Sequence, residues 1–111
     1  MNRYQFDQQE RATLEKLNIP MAIYQFVDKR VVTLLVTDGM CTLMGMDRAD
    51  VIDLLDNDMY RDTHPDDKAR VADAALKFAS GGDTFDCVYR TLSHTLNEYV
   101  ILHSHGGHYF T

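Results

Sequence analysis

Two runs rich in β-branched and aromatic residues, MAIYQFV at 21–27 and RVVTLLVT at 30–37, are separated only by Asp28-Lys29. So short a polar break between two such runs leaves the chain one option, to turn back on itself, and the pair predicts a β-hairpin. The second run is nearly all apolar, which predicts cover on both of its faces. The arrangement recurs near the other end. FDCVYRTL alternates Phe85, Cys87 and Tyr89 with Asp86, Val88 and Arg90, and EYVILHSH follows across a polar break, so a second hairpin is expected. Helical patterns fill the space before and between the hairpins. The order is helix, two strands, small helices, a longer helix and two strands, an α+β chain.

The helices are read from their ends and stripes. Tyr4 to Leu17 is rich in Gln and Glu, with Phe6, Leu14 and Leu17 as a thin apolar stripe, and Asn18-Ile19-Pro20 ends it. That stripe is too narrow to hold a short helix alone, so residues 1–18 are expected to dock on a second copy and form a homodimer. Asp38 is expected to cap a short helix running through Met44, with Gly45 in the left-handed position after it. Asp47, with Asp50 three residues on, starts another carrying Val51, Ile52, Leu54 and Leu55. In MYRDTHPDDKARV, Pro65 suits the first position of a longer helix, Asp66 and Asp67 its first turn, and His64 the cap. Val71, Ala72, Ala75 and Ala79 then recur at helical spacing, with Leu76 and Phe78 at the margins, until Gly81 and Gly82 end the helix.

Composition excludes several classes of function. With 111 residues, 45% of them hydrophobic, the chain has material for one core. Its net charge of −6 repels polyphosphate, and no cluster of Lys and Arg interleaved with aromatics occurs, so nucleic acid is not an expected ligand. No continuous apolar run marks a signal peptide or membrane span, and a cytoplasmic location without membrane association is expected. The two cysteines, Cys41 and Cys87, stand far apart and outside any CxxC pattern, which fits reduced core thiols.

Taken together, LLVTDGMCTLMGMDRADVIDLL, MYRDTHPDDKARV, FDCVYRTL and EYVILHSH resemble a PAS domain over residues 19–105. HPDD opening the long helix and the YR-bearing strand carry most of the likeness. DGMCTLMG and the paired VYR and EYV strands further resemble PAS domains at the front of bacterial diguanylate cyclases and EAL-type phosphodiesterases. The resemblance implies a five-stranded antiparallel sheet with helices on one face. Four strands are countable here, so residues 19–111 are expected to be a C-terminally truncated PAS domain lacking the last, central strand. GGDTF at 81–85 follows the long helix directly and lacks the acidic residue of a GGDEF hairpin, so the chain itself is not expected to be an enzyme.

By the same resemblance the chain is a sensory module that binds a small ligand, or mediates dimerisation, to control a C-terminal output domain. The implied pocket draws on Tyr24, Met44, Tyr60, Val71, Ala75, Phe78, Phe85, Cys87, Tyr89, Ile101 and His103. Cofactor identity stays open, but two cofactors are disfavoured. Cys41 lacks the sequence context of a flavin-reactive cysteine, and His64 sits at a helix cap rather than on an apolar wall suited to haem. HSHGGH invites a metal, because His103 and His105 share a strand face and His108 folding back across Gly106-Gly107 would complete three imidazoles. Strand histidines are more often simply solvated, so no resident metal is assigned and the three stay candidates. Two alternatives accompany the sensory reading. One is a small α+β enzyme with a cone-shaped cavity, in which His103 with Asp86 or Tyr89 acts as acid and base. The other is a purely structural dimerisation module.

Overall fold

A computed structural model describes residues 3–28, 30–81 and 84–108. Among them the elements run α1 (Gln8–Glu15), β1 (Ala22–Val27), β2 (Arg30–Val36), α2 (Asp38–Met44), α3 (Arg48–Asn57), α4 (Lys68–Ala79), β3 (Thr84–Ser93) and β4 (Glu98–Gly107). The α+β class holds. The hydrogen-bonded sheets are two antiparallel hairpins, β1 with β2 and β3 with β4, rather than one continuous sheet. The chain divides into two units, residues 1–61 with 94–96 and residues 62–93 with 97–111.

The first unit is built on β2. Its register against β1 runs from Ala22 opposite Val36 to Val27 opposite Arg30, with a slip between Ile23 and Tyr24 that makes Leu34 the extra residue of a bulge. Arg11 of α1 donates to the Leu34 carbonyl at 3.0 Å, supplying a partner at the bulge. Val32, Thr33, Leu35 and Val36 are all buried, which agrees with cover on both faces. Val51 and Leu54 are the buried residues of α3, and the Asp56 carboxylate of the same helix accepts from the Thr33 amide at 2.8 Å. Four fully enclosed side chains, Leu35, Val36, Thr37 and Val51, mark the centre.

Helix starts in this unit differ from expectation in two places. Thr37, not Asp38, caps α2. Its buried hydroxyl accepts from the amides of Met40 and Met21 and donates to the Ile19 carbonyl at 2.6 Å, tying the helix to the strand entrance. Asp38 instead pairs with Arg48 at 2.5 Å, and Arg48 also donates to the carbonyls of Glu15 and Val36. Helix α1 begins at Gln8 rather than near Tyr4, because Asp7 and Glu10 form a reciprocal capping box that fixes the start. Gly45 takes φ 67° after α2, and Asp47 caps α3 through the Asp50 amide, both as the spacing implied.

In the second unit α4 starts three residues later than Pro65 suggested, with Asp67 at the cap position and without a side-chain cap bond. Residues 65–67 form a turn, in which the Asp67 amide donates to the His64 carbonyl and the Asp66 amide to His64 Nδ1. Val71 is the buried residue of α4. Ala72, Ala75 and Phe78 are half-buried along with Ala74, so the expected stripe holds through Val71, Ala72 and Ala75, while Ala79 at its end and Leu76 at its margin are exposed. The expected role of Gly82 at the helix end falls outside the described residues. Strands β3 and β4 pair without a slip from Thr84 opposite Gly107 to Ser93 opposite Glu98, and Asn97 takes φ 55° in their turn. A short antiparallel bridge between Thr63 and Thr91 adds residues 62–64 to the edge of β3.

Candidate functional site

Two constellations of charged side chains stand out in the second unit, and each is assembled by pairing between segments distant in sequence. The first joins the HPDD turn to β3. Asp67 accepts from Arg90 through both carboxylate oxygens, at 2.9 Å from Nε and 2.8 Å from Nη2, and one of the same oxygens accepts the Arg90 backbone amide at 2.9 Å. Arg70, one turn into α4, adds a contact at 3.5 Å. The carboxylate is nearly enclosed, with 9% of its side chain exposed, so these donors replace its lost water. They hold Asp67 well below the usual carboxylate range, the Arg90 side chain contributing most and its amide next, and Arg90 is raised in turn. His64 completes the clasp. Its amide donates to the Arg90 carbonyl at 2.9 Å, and its ring lies 4.7 Å from that of Tyr99. In this structure His64 is an acceptor for a turn and a packing surface.

The second constellation lies on the exposed face of the β3–β4 hairpin. Register places Asp86 opposite His105 and Val88 opposite His103, and the two-residue period of β4 sends both imidazoles to the side on which Asp86 projects. His103 Nε2 lies 2.6 Å from Asp86 Oδ1, His105 Nδ1 lies 3.6 Å from Oδ2, and the two rings are 4.1 Å apart. Asp86 is held below its ordinary value, first by the hydrogen bond with His103 and then by the charges of the two imidazoles.

His108 does not join this group as expected. Its ring stacks on Phe78 at 4.1 Å, with Nε2 3.0 Å from the Phe78 carbonyl, and Asp86 takes the third place. From sequence, Asp86 is expected only as an acid-base partner of His103. The contact exists, whereas Tyr89, the other partner considered, bonds to Ser104 at 2.9 Å. Asp86 and the inward-packing Cys87 sit on opposite strand faces, so the signal for the trio was the strand register.

The residues expected to line a pocket are distributed between the units. Tyr24, on β1, is 41% exposed, and Met44 and Tyr60 are half-buried in the first unit. In the second, Phe78 of α4 meets Phe85 of β3 with ring centres 6.1 Å apart, Arg70 contacts Cys87, and Val71 and Cys87 are buried. Ala75 and Tyr89 are half-buried with them. Ile101 and His103 turn the other way, and Ile101 is 74% exposed. Alternation in EYVILHSH has apolar residues at both parities, and Val100, Leu102 and Ser104 take the inner side. Two surface concavities, of about 300 and 390 Å³, lie in the first unit. They are lined by Met46, Asp50, Asp53, Leu54, Asn57, Asp58 and Arg61, and by Asp7, Gln9, Glu10, Thr13 and Leu14. Cys41 and Cys87 are both free, and burial pushes the Cys41 thiol up, away from the reactive thiolate.

Phe6 and Leu14 are half-buried and Leu17 is 36% exposed. No helix among the described residues is long and apolar enough to cross a membrane. Comparison with protein-family models, curated proteins and solved structures finds no match.

Proposed function

We propose that the chain is a cytoplasmic sensory and regulatory module of the PAS type, not itself catalytic, which biases a cyclic-di-GMP-synthesising or -hydrolysing output domain C-terminal to it. One observation carries this reading. The HPDD turn and the VYR strand, the two motifs through which the chain resembles the family, are clasped together by Asp67 and Arg90. The order of elements, with two small helices and one longer helix between two hairpins, supports the same reading. So does the packing of α4 on β3, where Val71, Phe78, Phe85 and Cys87 form the apolar wall on which a small ligand would act.

A module of this kind works by holding two arrangements within a few kcal/mol of each other and letting a ligand, or a second copy, favour one. The clasp couples the start of α4 to β3, so a ligand that displaced Phe78 or Phe85 would be felt at Arg90. Leu14 of α1, with Phe6 and Leu17 flanking the helix, supplies the dimer contact in this reading. Native mass spectrometry of the untagged chain tests both routes. The expected species is a dimer, or a chain carrying a small molecule. A bare monomer across the working concentration range would contradict the proposal.

A further inference from the structure

Beyond that regulatory reading, and independent of it, we infer that Asp86, His103 and His105 form a binding site for a first-row divalent transition-metal ion of the Zn²⁺ class. Each residue offers one donor atom, and the three atoms lie within 4.8 Å of one another. Around a tetrahedral ion with bonds of about 2.1 Å, donors sit roughly 3.4 Å apart, so the trio must close by roughly an ångström. The side chains are 60%, 51% and 67% exposed, and rotation of these exposed side chains provides that movement without disturbing the backbone.

The hairpin itself fixes the arrangement. Asp86 and His105 are directly paired across the ladder, and His103 is two residues before His105 on the same face. Both imidazoles are already drawn to one carboxylate, His103 to Oδ1 and His105 to Oδ2. The donor set, two imidazoles and one carboxylate, suits Zn²⁺, Co²⁺, Ni²⁺ or Cu²⁺ and disfavours Mg²⁺ and Ca²⁺, which prefer oxygen cages. An ion would take the place of the hydrogen bond between His103 Nε2 and Asp86. Three protein ligands on an open surface leave the remaining positions to water. The expected consequence is a clamp joining β3 to β4.

Titration calorimetry with ZnCl₂ on the untagged chain, with MgCl₂ as the comparison cation, tests the site. A one-to-one isotherm is expected at roughly micromolar free Zn²⁺, with none for Mg²⁺. Asp86→Asn, His103→Gln and His105→Gln should each weaken Zn²⁺ binding tenfold or more, and His108→Gln should leave it within twofold. Zn²⁺ should raise the melting temperature of the wild type and of His108→Gln but not of the other three, whose melting without metal reports that they fold. Absent Zn²⁺ binding, or binding that survives all three changes or depends on His108, would overturn the assignment.

Discussion

Asp67 and Asp66 are adjacent carboxylates with opposite roles. The Asp66 side chain is 79% exposed, while that of Asp67 is enclosed and holds three donors from Arg90. Asp67→Asn should therefore lower the melting temperature by several degrees, and Asp66→Asn should have little effect, because only the first leaves an arginine without its partner. The pH dependence has a definite sign. A carboxylate whose folded pKa is depressed stabilises the fold at pH values above its unfolded value, near 3.9, and that contribution is lost as pH falls below it. The gap in melting temperature between wild type and Asp67→Asn should be full at neutral pH and narrow below about pH 4. A gap that widened in acid would remove the ion pair as its cause. Local spacing points Asp67 to a helix first turn, because spacing registers neighbours only. Its actual partner is 23 residues away, and no spacing rule reads that distance.

At the scale of elements, the hairpins and the start of α3 were legible, because β-branched runs beside a turn and an Asp three residues before another are local signals. The face of β4 was not legible. Tyr99 and Ile101 on one side and Val100 and Leu102 on the other are equally apolar, and only packing against α4 decides between them. The same limit hid Gly39. Inside a helix, Gly→Ala ordinarily gains up to about 1 kcal/mol. At Gly39 an added Cβ would lie 2.5 Å from the Ile19 carbonyl carbon and closer still to the Asn18 carbonyl. Backbone must then move, so Gly39→Ala should cost about 1–3 kcal/mol, measurable by urea denaturation. Leu35→Ala, at a fully enclosed position in β2, should cost about 2–5 kcal/mol in the same experiment. A neutral result at Gly39 would mean that the approach of α2 to the 18–19 segment is looser than described.

For the whole molecule, the open question at the sequence level was what a weak N-terminal stripe packs on. Part of the answer lies in the chain, since Arg11 bonds to Leu34 and Glu15 lies against Arg48. Leu17 remains 36% exposed at the end of the stripe. If α1 also builds the proposed dimer, Leu17→Glu should shift light scattering toward monomer while leaving the Arg11 and Arg48 contacts intact, and an unchanged dimer would take the helix out of the interface. In the proposed function, the clasp between HPDD and VYR couples this chain to an output domain. The direct measurement is cyclic di-GMP turnover by the intact gene product, wild type against Asp67→Asn, with the fold of the proposed output domain checked by circular dichroism. A regulatory module predicts that turnover changes severalfold while the output domain stays folded. A gene product with no cyclic di-GMP activity, or an activity indifferent to the substitution, would contradict the account.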